Sequence, residues 1–146
     1  MAVVVEEPAL SRRGVAAAMV ALGLGGFGIG TTEFATMGLL PQMADTFGIS
    51  IPSAGHAISL YALGVVVGAP LIAGLGAKLP RKGLLIVLVL GLAVGNGLSA
   101  IAWDPTSLLA ARFLAGLPHG AYFGIAAVVA SSLVPRSGGG RRWPGS

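Results

Sequence analysis

Four stretches, each longer than twenty residues and almost free of charge, decide what this chain can fold into. They run over residues 14–40, 54–77, 83–103 and 105–134. The first holds Glu33 as its only ionisable side chain, and the second and third carry no formal charge. The fourth holds Arg112 and His119. A helix rising 1.5 Å per residue needs about 20 apolar residues to cross roughly 30 Å of hydrocarbon, and all four stretches are long enough. Backbone polar groups in hydrocarbon must be satisfied within the segment, which makes each stretch a helix. The fold expected is all-α and polytopic, with four transmembrane helices. Composition agrees: 10% of residues are charged and 55% are hydrophobic, whereas soluble domains carry about 25% charged residues.

Helix punctuation falls between the stretches. Pro41 follows the first, and Ser53 is placed to cap the second. "LPRKG" (79–83) separates the second from the third. Asp104-Pro105 reads as an N-cap with proline in the first helical position, and Pro135 closes the fourth.

The basic residues give the direction of the spans. Arg12 and Arg13 precede the first, Lys78, Arg81 and Lys82 lie between the second and third, and Arg136, Arg141 and Arg142 follow the fourth. The other two connections contain Asp45 and Asp104 with no Lys or Arg. Eight of nine basic residues thus fall on one side, which the positive-inside rule makes cytoplasmic. The expectation is a multi-pass cell-membrane protein with both termini inside: a cytoplasmic segment 1–13, a transmembrane region 14–135 and a basic tail 136–146. The net charge of +4 is then a topology signal, and no nucleic-acid partner is expected. A cleavable signal peptide is not expected, because the first span far exceeds a 7–15-residue hydrophobic region. The chain has no cysteine, which excludes disulfides, thiolate metal ligands and cysteine nucleophiles. No cofactor and no metal site is implied.

Glu33 stands about seven residues from the outer end of its span, roughly 10 Å deep. A charged residue at a helix centre costs roughly 2.5–3.5 kcal/mol on insertion scales. Neutralising a glutamate at pH 7 from a reference value near 4.3 costs about 3.7 kcal/mol. With the two costs so similar, a small change of environment exchanges the protonated and ionised forms, as proton coupling requires. The plain alternative is a carboxylate that reaches interfacial water. Arg112 lies at a matching depth in the fourth span and is the partner expected for Glu33; alternatively its long stem carries the charge outward. His119, two turns beyond Arg112 on nearly the same face, can relay a proton, hydrogen-bond a substrate, or simply donate to a backbone carbonyl. His56, at the outer start of the second span, reads as a wet interfacial residue.

Glycines recur every four residues: Gly116, Gly120 and Gly124 on the fourth span, with Gly26/Gly30, Gly64/Gly68 and Gly91/Gly95 on the others. Small residues at this spacing let helices approach closely in lipid. Pro70 and Pro118 are expected to kink their helices. Enzyme motifs such as HExxH, G-x-S-x-G or a P-loop are absent from the sequence, and no enzymatic activity is expected. "LGLGGFGIG" (22–30) has G-x-G-x-x-G spacing but lies in a span with no preceding strand, so the dinucleotide reading fails.

Taken in order, these segments resemble the major facilitator superfamily, and within it the branch of proton-driven drug and sugar (arabinose-type) efflux antiporters. "GTTEFATMGLLP" (30–41) is similar to the end of that branch's first helix, and "SLYALGVVVGAPLIA" (59–73) to its second. "LPRKGLL" (79–85) is similar to the basic loop between helices two and three, and "ARFLAGLPHGAYFG" (111–124) to the helix-four arginine motif. The resemblance covers roughly residues 14–135. It implies a lipid bilayer, protons and a small-molecule substrate as partners. It also implies a proton and substrate pathway at Glu33, Arg112 and His119, and a gating loop at Lys78, Pro80, Arg81 and Lys82. The family's loop usually reads G-x-L-A-D-R-x-G-R-R. Here Ala77 stands at the acid and Pro80 at the second glycine, so the gating contacts assigned to that acid do not carry over.

Such transporters have twelve helices built from three-helix repeats, and four spans correspond to the first part of one. The tail "RSGGGRRWPGS" (136–146) shifts abruptly in composition, which leads us to expect a truncated or out-of-frame end and no activity for the chain alone. Two other readings compete. One is a four-helix small multidrug exporter acting as a dimer, and the other is a non-transporting membrane assembly protein held by its glycine faces.

Overall fold

The computed structural model describes residues 11–133, and within them every regular element is a helix. The elements are α1 (Arg12–Gly38), α2 (Leu40–Phe47), α3 (Ile51–Ala54), α4 (His56–Gly76), α5 (Arg81–Ala100) and α6 (Pro105–Leu133). Four helical segments are long and apolar enough to cross a membrane: Arg12–Gly38, Ile51–Gly76, Arg81–Ala100 and Pro105–Leu133. The all-α, four-span fold expected from the uncharged stretches is the fold found. The expectations for Pro135, Arg136, Arg141, Arg142 and the tail lie outside the described residues.

Helix ends differ from the sequence reading in local detail. Pro41 does not end the first helical region. The chain breaks at Leu39, with φ −93° and ψ 2°, and re-enters the helix α2 with Pro41 in its first turn, where a missing N–H costs no hydrogen bond. In α2 the apolar Leu40, Met43, Ala44 and Phe47 turn inward while Gln42, Asp45 and Thr46 stay exposed. Gly48 ends it in the left-handed region, at φ 62°, which suits a residue without a Cβ. Capping before the second span falls to Ser50 rather than Ser53. Ser50 Oγ accepts from the Ser53 N–H at 3.3 Å, because the helical turn starts earlier, at Ile51, with Pro52 tolerated near its start. Arg12, Arg13, Arg81 and Lys82 lie in the first turns of α1 and α5 rather than before them.

The start of α6 follows the expected pattern. Asp104 Oδ1 accepts from the backbone N–H of Thr106 at 2.7 Å and of Ser107 at 3.0 Å. Ser107 Oγ accepts in return from the Asp104 N–H at 3.2 Å, the reciprocal bonding of a capping box.

α6 is the hub of the bundle, packing on α4, on α5 and on α1. Its contact with α4 is backbone against backbone. A Cβ built on Gly64 or Gly68 would run into the carbonyl oxygens of Phe113 and Leu117, and one built on Gly116 or Gly120 into those of Tyr61 and Val65. On the α5 side, a Cβ on Gly95 would lie 2.6 Å from Ala115 Cα, and one on Gly91 3.1 Å from Pro118 Cγ. α1 docks through the ring of Tyr122, which lies over Gly25 and whose hydroxyl donates to the Leu22 carbonyl at 2.9 Å. Ile29, Leu84, Leu88, Leu92, Ala121 and Tyr122 close a core between α1, α5 and α6. Gly30 and Gly124 have open space where a Cβ would stand, so the four-residue spacing overstates how far the close contact runs. α4 and α6 continue as helices through Pro70 and Pro118.

The exterior is apolar: Phe27 and Phe34 are each 73% exposed, Leu75 is 75% exposed and Trp103 81%. That surface suits hydrocarbon rather than water.

Two predictions follow from these contacts. Gly68→Ala should destabilise the bundle by about 1–3 kcal/mol through overpacking. Gly124→Ala should be neutral or stabilising by up to about 1 kcal/mol, the helix-propensity gain. Thermal unfolding in detergent micelles distinguishes them. At the α6 cap, backbone hydrogen bonding, led by Ser107, holds the Asp104 carboxyl below its ordinary value. A depressed folded value contributes stability above the unfolded reference near 3.9, lost as pH falls through the folded value. Asp104→Ala should therefore lower hydrogen-exchange protection at Thr106 and Ser107 at neutral pH, while Asp104→Asn retains it. Wild type should lose it only below about pH 4.

Candidate functional site

Arg112 occupies the α6 face turned toward α4 and α5, and only 2% of it is exposed. The small residues Ala111, Ala115 and Gly116 around it bring the neighbouring helices close enough to cover the side chain. Its Nη1 donates to Asn96 Oδ1 on α5 at 3.2 Å. The Asn96 amide is oriented by its own Nδ2, which donates to the Leu92 carbonyl at 2.9 Å and so turns the oxygen to the guanidinium. The guanidinium carbon stands 4.2 Å from the centroid of the Tyr61 ring on α4, within range of a cation–π attraction worth about 2 kcal/mol when desolvated. Arg112 Nε is buried and has no hydrogen-bond partner among the described residues.

Tyr61 reaches two turns of α6 at once. It is 3% exposed, its ring face covers Arg112, and its hydroxyl lies 2.9 Å from His119 Nδ1. His119 in turn packs against Phe123 with ring centroids 5.4 Å apart.

Glu33 lies on the α1 seam shared with buried Ile29 and Thr36 and is half-buried. The direct Glu33–Arg112 pair expected from matching depth is not formed among the described residues, because Asn96 and the Tyr61 ring take the guanidinium instead. The threonines around Glu33 bond back along their own helix: Thr32 Oγ1 donates to the Gly28 carbonyl at 2.9 Å and Thr36 Oγ1 to that of Thr32 at 2.8 Å. They are satisfied locally.

Lys78, Pro80, Arg81 and Lys82 are all exposed at the opposite end of the bundle from Arg112. Arg81 lines a cavity of about 530 Å3 between α4, α5 and α6, whose walls include Ala73, Gly120 and Gly124. His56 is exposed, with Nδ1 3.0 Å from the Ser53 carbonyl. The residues singled out from sequence therefore separate into an inner cluster, a crossing made by Gly116 and Gly120, and a basic rim. Tyr61 and Asn96 were not among them. The signal was present: Tyr61 is the one aromatic residue in 59–73, and Asn96 is one of two polar residues in 83–103.

A buried arginine held across three apolar helices, with a half-buried carboxylate on a fourth, matches the order of motifs read from the sequence, and the family comparison agrees. Residues 22–142 match the Major Facilitator Superfamily. The chain belongs to that superfamily. The Escherichia coli inner membrane transport protein YdhP is 52% identical over 118 residues, which are 81% of this chain and 30% of YdhP. The E. coli putative transporter AraJ is 45% identical over 116 residues, 80% of this chain and 29% of AraJ. A probable sugar efflux transporter of Pasteurella multocida is 33% identical over 120 residues, 82% of this chain and 30% of that protein. The chain thus spans about three-tenths of the length of these superfamily relatives. No solved structure matches it.

Proposed function

We propose that this chain forms the first part of a proton-coupled efflux transporter for drugs or sugars, with Glu33 as the proton-responsive group and Arg112 as its electrostatic partner. The observation that carries this reading is a buried guanidinium whose Nε has no hydrogen-bond partner among the described residues, on a helix against which α1 packs with its half-buried Glu33 carboxylate. A charge removed from water normally has its hydrogen bonds completed. Here one N–H is left over, so Glu33 can move onto the arginine when ionised and leave it when protonated. A pair able to make and break at small net cost is the requirement for coupling a proton to a conformational change. His119, linked to Arg112 through Tyr61, lies on the same path. The Pasteurella relative, described as a probable sugar efflux transporter, supports the direction of transport. The dimeric four-helix exporter is not favoured, since the superfamily match runs through nearly the whole chain. The non-transporting assembly reading would leave Glu33 and Arg112 dispensable.

In the bilayer the basic rim at Lys78–Lys82 faces the cytoplasm and the α2–α3 segment faces outside, by the positive-inside rule. Cysteines placed at Ser53 and Leu79, in a chain that has none, should then react with impermeant reagents from opposite faces. Labelling of both from one face would end the four-span orientation.

The coupling role is tested in a chimera that joins these helices to the remaining helices of YdhP. In everted vesicles with an imposed pH gradient, export of ethidium, chloramphenicol and arabinose is measured in turn. Glu33→Gln keeps the shape of the side chain and removes its titration. It should bring gradient-driven export to background while the protein stays in the membrane. Wild-type export by Glu33→Gln would reduce Glu33 to a structural residue.

A further inference from the structure

We propose that Tyr61 is a positioning residue that fixes His119 as its Nε2–H tautomer and so presents that N–H as a donor to a hydrogen-bond acceptor on the transported molecule. The cargo half of this proposal rests on the transport reading above; the tautomer half does not.

A neutral imidazole carries one N–H donor and one bare acceptor nitrogen, and a tyrosine hydroxyl carries one proton to donate. Tyr61 is 3% exposed, so water does not take its proton, and among the described residues its hydroxyl has one partner, His119 Nδ1 at 2.9 Å. Were Nδ1 to carry the hydrogen, it would donate to the tyrosine oxygen and leave the buried O–H unpaired. That costs about 1–3 kcal/mol. With Nδ1 bare, Tyr61 donates, its hydroxyl is satisfied, and the imidazole proton resides on Nε2.

Nε2 has no hydrogen-bond partner among the described residues, and it is not among their buried unsatisfied atoms. His119 is half-buried between Tyr61 and Phe123. The result is an accessible donor flanked by two aromatic rings, a setting suited to an uncharged molecule that offers an oxygen acceptor and an apolar face, as sugars and many drugs do. The same tyrosine holds Arg112 on its ring face. One side chain on α4 therefore sets both functional groups of α6, two turns apart, in register.

The tautomer is read directly on the 146-residue chain in lipid bilayers, with 15N-labelled histidine. The chain has two histidines, and His56→Gln assigns the spectrum. At about pH 9, well above the imidazole reference near 6.5, His119 should show a bare Nδ1 and a protonated Nε2. Tyr61→Phe keeps the ring and removes the hydroxyl, and should yield a mixture of tautomers. A protonated Nδ1 in the wild type overturns the proposal without recourse to any variant, and so does an unchanged spectrum in Tyr61→Phe. In the YdhP chimera, His119→Gln sets an amide N–H close to the position of Nε2, whereas His119→Asn sets it near Nδ1. His119→Asn should raise KM roughly tenfold, the worth of one hydrogen bond, with kcat little changed, and His119→Gln should stay near wild type. Equal KM for the two overturns the donor role. A chimera that exports nothing would defeat the transport reading and with it the donor role, while the tautomer result stands by itself.

Discussion

The rest of the structure depends on the close approach of α4 and α6, where Gly64 and Gly68 meet Gly116 and Gly120 with carbonyl oxygens in the space a Cβ would need. In lipid there is no hydrophobic gain from bringing two apolar helices together, so association relies on van der Waals contact and on whatever polar bonds the approach permits. Backbones this close give both. They maximise contact along the crossing, and they bring Tyr61 on α4 within reach of Arg112 and His119 on α6. Were the helices a methyl group further apart, the tyrosine ring would lose its stacking distance to the guanidinium. The packing motif and the polar cluster are one device seen at two levels.

That device explains how a guanidinium can be 98% buried with no ionic partner among the described residues, since Arg112 is 2% exposed. The three helices around it supply a neutral amide oxygen, a ring face and the small residues that exclude lipid. Each is weaker than a carboxylate, and together they leave Nε unpaired. A structure built only for stability would pair the charge fully or replace it with an apolar side chain. Under the coupling proposed above, that Nε–H is where an ionised carboxylate would dock.

How much of this was legible in the sequence follows from what each signal measures. Uninterrupted apolar length fixes spanning helices, because hydrocarbon leaves a backbone no other option, and the described residues hold four helices long and apolar enough to cross a membrane. The Asp104-Pro105 cap was equally legible, being a local arrangement of side chain and backbone. The helix α2 was missed because Pro41 reads as a stop as readily as a first-turn residue, and eight residues are too few for periodicity to decide. Gly124 illustrates a different limit. Its spacing matches Gly116 and Gly120, but α4 and α6 have diverged at that level and a cavity takes the place of contact. Spacing places residues on a face and does not report how far the neighbouring helix follows it.

The Glu33–Arg112 pair shows the same limit in the site. Depth along two helices is readable from residue counts, and it places acid and base at one level. It carries no information about the azimuth of each helix, and that rotation gives the arginine to Asn96 and Tyr61. Charged residues stand out in an apolar span, whereas Asn96 and Tyr61, which hold Arg112, do not. In hydrocarbon an uncharged amide or phenol costs less to insert than an ion and yet can orient one. In an apolar span, a solitary Asn or Tyr is therefore as informative as a solitary Glu. The charged group marks where the chemistry is, and the neutral one marks which direction it faces.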